Sequence, residues 1–254
     1  MNPQSSLSKP TPQEIGSYAS NLLARSKVAQ GTQSFEFERP AGFSFKAGQF
    51  IDLVLPGILP DGSDELVHTF SIASSPFFEE IIIATRMRDT AFKRALSSLA
   101  IGAKVRIKGP MGNFTLHKNV MRPAVFLAGG IGIVPFLSII SDLALNRRQT
   151  PISLFYANRL LEDAAFLQRI WEIERSENNF QFIPTLTRVG RSNTSWRGET
   201  GRITAEMLSR HPCRLQDAIC YVAGPPEMVA AARVALNAAG VDDDDIRTEE
   251  FHGY

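Results

Sequence analysis

The segment AVFLAGGIGIVP (residues 124–135) sets Gly129, Gly130 and Gly132 directly behind the apolar run Val125, Phe126 and Leu127. Pro135 then opens a helix-period pattern in which Phe136, Leu137, Ile140, Leu143 and Leu145 recur. Strand, glycine turn and helix in that order offer backbone N–H groups and the positive end of a helix dipole to an anion. Glycine lets the backbone come close, because no Cβ intervenes and positive φ is accessible. Phosphate binding by Gly129, Gly130, Gly132, Ile133, Val134 and Pro135 is the chemistry this turn suits; standing alone, the same residues also make an ordinary structural turn.

Four further stretches carry polar chemistry. HTFSIASSP (residues 68–76) can hold a planar ring by stacking on Phe70 and hydrogen bonding from Ser71, or can be a core aromatic followed by turn-forming serines. In TRMRDTAFKRAL (residues 85–96), Arg86, Arg88 and the amides of Thr90, Ala91 and Phe92 can surround a diphosphate, or form a solvated basic face. VAGPPEMV (residues 222–229) reads as a strand, a Gly-Pro turn and a helix start, at the strand end where ligands of open α/β sheets collect. TLTR (residues 185–188) ends another such strand and offers Thr187 and Arg188 to a phosphate. GPMGNF (residues 109–114) is a tight turn.

These stretches need positioning by two different architectures. From Asn21 to about Leu116 the chain runs in short segments rich in β-branched and aromatic residues: LLARSKVAQ, TQSFEFERP, GQFIDLVLP, VHTFSIASSP, EEIIIATRM and AKVRIKGPMGNFTL. Six strands at this spacing predict a small closed antiparallel β-barrel, interrupted by a helix over residues 89–99 capped by Asp89 or Thr90. After Met121-Arg122-Pro123, strands AVFLA, ISLFYAN, FQFIPTLT and AICYVAG alternate with helices beginning near Pro135, Glu162, Thr204 and Pro226. That alternation predicts an α/β domain with a parallel sheet. The expected division is an extension over residues 1–20, a barrel over 21–120 and an α/β nucleotide-binding domain over 121–254. Thr11, Pro12 and Glu14 have the spacing of a helix start within the extension.

Composition narrows the function classes. Hydrophobic residues at 44% and charged residues at 21% are globular values, and a net charge of +1 gives nucleic acid no support as the main partner. Cys213 and Cys220, six residues apart, suit neither a disulfide framework nor a four-thiolate cluster, so no metal site is expected. The first residues lack a charged segment followed by an apolar core, and no apolar run approaches the length of a membrane span. A soluble cytoplasmic protein is the expectation.

Taken in order, the motifs resemble the ferredoxin–NADP reductase superfamily over residues 21–254. The flavin motif of that family, Arg-x-Tyr-Ser-x-x-Ser, is matched by His68, Thr69, Phe70, Ser71 and Ser74. Its Gly-Gly-x-Gly-x-Thr-Pro turn appears with Val134 in place of threonine, and its Cys-Gly-Pro-Pro turn as Ala223, Gly224, Pro225 and Pro226. The carboxyl-terminal Glu-x-aromatic appears as Glu249 and Phe251. The resemblance implies an FAD-binding barrel followed by a nicotinamide dinucleotide domain. It implies a flavin site of His68, Thr69, Phe70, Ser71, Ser74, Ala84, Arg86, Arg88, Thr90, Ala91, Phe92, Phe251 and Tyr254. It implies a nucleotide site of the glycine turn with Asn158, Arg159, Thr187, Arg188, Gly224, Pro225, Pro226 and Met228. Ser71, Phe70, Glu249 and Phe251 are the implied catalytic group.

Two departures bear on the chemistry. His68 replaces the arginine that in the family neutralises the FAD diphosphate, a task that passes to Arg86 or Arg88; a His-x-Phe version is similar to the flavin motif of the ferric reductase and NADPH oxidase branch. Ala223 removes a thiol that in much of the family lies beside the nicotinamide. Asn158 and Arg159 stand where an acidic residue marks NAD, and Thr187-Arg188 resembles the Ser-Arg pair that reads the 2′-phosphate, so NADPH is expected over NADH. The expected activity is hydride transfer from NAD(P)H to FAD and electron delivery to a separate protein such as ferredoxin or flavodoxin. The alternatives are a direct ferric-chelate, free-flavin or quinone reductase, and a non-catalytic nucleotide-binding regulatory subunit.

Overall fold

The computed structural model describes residues 15–56, 65–189 and 196–252. The helix start expected at Thr11 and the aromatic Tyr254 lie outside the described residues. The first six strands are Gly16–Ala29 (β1), Thr32–Glu38 (β2), Phe50–Pro56 (β3), Glu65–Ser71 (β4), Glu80–Arg86 (β5) and Lys104–Met111 (β6). They pair antiparallel in the order β4-β3-β6-β1-β2-β5. β1 serves both halves: residues 16–21 pair with β6 and residues 22–29 with β2, with a register shift between Leu22 and Ala24. It therefore begins earlier than the sequence suggested, and residues 16–20 are barrel strand rather than extension. The sheet closes on itself just past β4, where Ala73 N–H donates to Ile82 O (2.7 Å) and Ile82 N–H donates to Ser74 Oγ (3.1 Å). Alternate side chains point inward, so Phe35, Phe37, Ile51, Leu53, Ile81, Ile83 and Ile107 fill the interior. A helix, Ala91–Ser98 (α1), follows β5, and Thr90 is its cap: Thr90 Oγ1 accepts from Lys93 N–H (3.3 Å).

The second sheet holds Ala124–Gly129 (β7), Ile152–Asn158 (β8), Phe180–Leu186 (β9), Glu199–Thr200 (β10), Ile219–Gly224 (β11) and Ile246–Glu250 (β12). All pair parallel, in the order β10-β9-β8-β7-β11-β12. Every residue of β7 and β11 is buried, as strands covered on both faces require. The covering helices are Ile133–Asn146 (α2), Leu167–Ser176 (α3), Ala205–Arg210 (α4) and Pro226–Ala238 (α5). From β7 the chain builds outward through β8 and β9, then returns to lay β11 on the other side, so the β7–β11 boundary is the switch point at which such sheets open a crevice.

Two differences from the sequence reading have local causes. The helix expected near Glu162 starts at Leu167, because Phe166 sits at φ +59°, a left-handed conformation no α-helix runs through. β12 was not anticipated: its sequence IRTEE is an edge strand with intermediate and exposed residues and no apolar run to announce it.

Barrel and sheet meet in one apolar cluster in which Ala73, Ala84 and Phe114 pack with Phe126, Ile131, Phe136 and Tyr221. Polar ties cross the same junction. Ser138 Oγ donates to Ser74 O (2.7 Å), Gln30 N–H to Glu162 O (2.7 Å), and Arg86 pairs with Asp163 (3.3 Å). The connection after β6 is pinned by Tyr221, whose hydroxyl accepts from His117 N–H (2.9 Å) and Arg247 (3.0 Å).

The turn after β7 presses on β11. Gly132 has an ordinary φ of −59°, yet a Cβ there would stand 2.2 Å from Ala223 O. Gly132→Ala is therefore expected to cost about 2 kcal/mol or more through overpacking against backbone that cannot yield. Thermal unfolding of the variant should show a fall of several degrees, and an unchanged melting temperature would contradict the close approach.

Candidate active site

The glycine turn leaves β7 at Gly129, turns through Gly130 at φ +54°, and enters α2 without a side-chain cap. A Cβ on Gly130 would meet nothing within 4 Å, so its positive φ and not crowding asks for glycine there. Across the switch point, Gly224 lies so near that a Cβ on it would stand 3.2 Å from Gly129 Cα. Pro225 and Pro226 then start α5, and the Met228 sulfur sits beside both Gly129 and Gly224. The two turns singled out in the sequence thus pack directly against each other at the carboxyl end of the parallel sheet.

At the outer strand ends, β8 and β9 bring the other nucleotide candidates together. Thr187 N–H donates to Asn158 O and Arg188 N–H to Arg159 O, both at 3.0 Å. Arg159 and Arg188 are exposed, while Asn158 is buried with its Oδ1 unpartnered.

β4 carries the barrel's share. Residues 68 and 70 point to the same side of a strand, and here the His68 ring stacks on Phe70 at 4.7 Å with 17° between the planes. Phe92 lies against both, 5.2 Å from His68 and 5.6 Å from Phe70. Phe70 is only 6% exposed, so one face of the ring expected to lie open is already occupied by the histidine. Burial holds His68 below the usual imidazole range, and it is neutral at pH 7. Thr69 Oγ1 donates to Asp52 (2.5 Å). Ser74 spends its hydroxyl on the barrel seam and its carbonyl on Ser138; Ala84 is part of the junction core. Arg86 is engaged by Asp163, and Arg88 and Ala91 are exposed.

Ser71 ends β4, and Glu249, paired in register with Ala223, projects from β12. Ser71 Oγ donates to Glu249 Oε1 (3.5 Å) across the barrel–sheet junction. Burial pushes the Glu249 carboxyl up to about 7 against the opposing pull of the Ser71 hydrogen bond, and its Oε2 is buried with no partner. Phe251 N–H donates to Gly224 O (2.9 Å), which fixes this aromatic beside the second turn.

Two participants escaped the sequence reading. Lys93, on α1, is buried among Phe70, Thr85 and Arg86; a lysine beside Phe92 and three residues before Leu96 on the helix's apolar face was the available signal. Asp163 carried no signal, since its partner Arg86 is distant in sequence. Cys213 and Cys220 are free, and burial pushes Cys220 up to about 12. Among the described residues no cluster of His, Cys, Asp and Glu is placed to hold a metal ion.

Residues 126–234 match the family described as Oxidoreductase NAD-binding domain. The chain is 30% identical over 196 residues to ferredoxin–NADP reductase B of Sorangium cellulosum, covering 75% of this chain and 77% of that protein. The chain belongs to the ferredoxin–NADP reductase superfamily. It is also 29% identical over 217 residues to the reductase component of propane 2-monooxygenase from Mycolicibacterium goodii, covering 84% of this chain and 60% of that protein. The chain thus spans about three-fifths of the length of the monooxygenase reductases it matches. Among solved structures, the flavohem-like FAD/NAD binding domain of nitric oxide dioxygenase from Vibrio cholerae superposes with a TM-score of 0.80 at 18% identity, over 92% of this chain and 98% of that one.

A flavin and a nicotinamide nucleotide fit the superfamily member's own residues. Nothing lies within 4 Å of where a Cβ on Gly130 would stand, so the turn is open there, and Glu249 Oε2 is a buried polar atom with no hydrogen-bond partner in the protein. Because the folded Glu249 carboxyl titrates near 7 and the unfolded one near 4.5, the folded state binds the proton more tightly. Its stabilising contribution is complete below about pH 4.5 and is lost as pH rises toward 7. Glu249→Gln is expected to flatten that part of the stability-versus-pH curve, measured by denaturant unfolding across the same range.

Proposed function

We propose that this protein is a flavoprotein oxidoreductase that takes a hydride from NAD(P)H onto FAD and hands electrons to a separate redox protein of the ferredoxin or flavodoxin kind. One observation carries the reading: a barrel hydroxyl, Ser71, and a carboxyl from the parallel sheet, Glu249, meet at 3.5 Å with an unpartnered buried oxygen left over. In our division the barrel, residues 21–120 with β1 reaching back to Gly16, holds the flavin, and residues 121–254 hold the nucleotide. When bound, FAD would supply the redox chemistry that links a two-electron hydride donor to a one-electron acceptor.

The chain's residues bind, orient and hold a proton. Gly129, Gly130 and Gly132, with Ile133, Val134 and Pro135, receive the nucleotide diphosphate at the carboxyl end of the parallel sheet, and Gly224, Pro225, Pro226 and Met228 pack beside them there. Below about pH 7, Glu249 holds a proton on its carboxyl beside Ser71 Oγ, in a site from which burial has removed much of the water. Ser71 and Phe251 orient the reacting rings. His68, Thr69, Arg86, Arg88 and the start of α1 line the flavin's phosphate side.

Arg159 and Arg188, joined through the backbone ties of β8 and β9, favour NADPH, since no carboxylate ends β8. The relatives named as ferredoxin–NADP reductase and as a monooxygenase reductase component support delivery to a separate protein. Among the described residues no helix is long and apolar enough to cross a membrane, and both cysteines are free; a cytoplasmic location goes with this reading.

The test is anaerobic. Bound flavin absorbance should bleach on adding NADPH, and more slowly with NADH; no bleaching with either would refute the enzyme, and faster bleaching with NADH would reverse the coenzyme preference. Arg188→Ala should raise the KM for NADPH about tenfold and leave that for NADH unchanged.

A further inference from the structure

Lys93 stands in the first turn of α1 and is only 6% exposed. Its Nζ donates to Thr85 Oγ1 and to Arg86 O (3.2 Å) and lies 5.5 Å from the centre of the Phe70 ring. Those two acceptors leave one of its three N–H groups over. Among the described residues no carboxylate pairs with it: Asp163 is taken by Arg86, Asp89 by Arg94, and Asp52 accepts from Thr69. The groups facing it are His68 from β4, Arg86 at the end of β5, Arg88 just beyond, and the amino end of its own helix. Burial, and after it the Arg88 charge, press the ammonium down to about 8. A buried cation without an anion is costly, and the Arg88 charge nearby adds to that cost.

We propose that Lys93 neutralises the flavin diphosphate in this protein, replacing the arginine whose place His68 has taken. The proposal rests on the flavin reading and gives to Lys93 the task expected of Arg86 or Arg88. The Arg86 side chain is 41% exposed and already paired with Asp163. Arg88 is exposed, where its interaction with a phosphate is screened by water. Lys93 alone combines burial, a spare donor and a position beside both His68 and Phe70. An anion bound there would offset the burial and raise the ammonium's proton affinity again.

The full chain, freed of flavin, is titrated with FAD and with riboflavin by fluorescence quenching, as wild type, Lys93→Gln and Arg88→Gln. Lys93→Gln should weaken FAD about ten- to hundredfold and leave riboflavin, which has no phosphate, within about twofold. Arg88→Gln should change FAD binding less. With the free ammonium titrating near 8, wild-type FAD affinity should fall as pH rises above about 8, and Lys93→Gln should lack that fall. Equal FAD affinity in wild type and Lys93→Gln, or equal loss of FAD and riboflavin, overturns the proposal. If Lys93→Gln also loses NADP⁺ binding in calorimetry and so has not folded, the wild-type profile decides, and constant FAD affinity from about pH 7 to 9.5 overturns it. A wild type that binds riboflavin and NADP⁺ but gains nothing from the FAD phosphates defeats Lys93 alone; one that binds no flavin defeats the flavin reading itself.

Discussion

Between the turn after β7 and the turn after β11 there is no room for a side chain. A Cβ on Gly132 would stand 2.2 Å from Ala223 O, and one on Gly224 would crowd Gly129 Cα at 3.2 Å. This backbone contact fixes where β11 ends relative to the glycine turn. Because β12 pairs with β11 residue for residue, Ala223 with Glu249, the same contact also fixes the carboxyl. The positions of the glycine turn, the Gly-Pro turn and Glu249 are thus one consequence of missing Cβ atoms.

The barrel is brought to that arrangement by packing more than by charge. Phe114, Ala73 and Ala84 are shared with the core that covers β7 and β11 on the α2 side, and Ser138 ties α2 directly to the strand end that leads from Ser71. The 3.5 Å approach of Ser71 to Glu249 is kept only if this junction holds its distance. The cross-junction pair Arg86–Asp163 adds little energy by itself, with Arg86 substantially exposed, but it restrains one edge of the junction.

Both architectures and the two glycine-bearing turns after β7 and β11 were legible in the sequence, since period-2 strands and buried parallel strands leave different patterns and glycines mark the turns. What stayed hidden depends on contacts between distant residues. That Phe70 would be covered followed from histidine's ability to stack, at a position where arginine would extend away; Phe70 alone does not tell the two apart. The late start of α3 follows from the conformation of Phe166, a residue type that rarely adopts positive φ. β12 is visible only through its partner β11, and Lys93 reads as an ordinary helix lysine until β4 and β5 close over it.

The hydrogen bond from Ser71 to Glu249 spans 178 residues of chain. Contacts of such sequence separation form only after the intervening chain has been ordered, whereas the β1–β2 and β3–β4 hairpins pair near neighbours. During synthesis the barrel can close long before β12 has emerged, and such a chain has its hydroxyl in place with no acid opposite it. The last strand is therefore the one that completes this pair, so the contact between Ser71 and Glu249 is a late event of folding rather than one that grows with it.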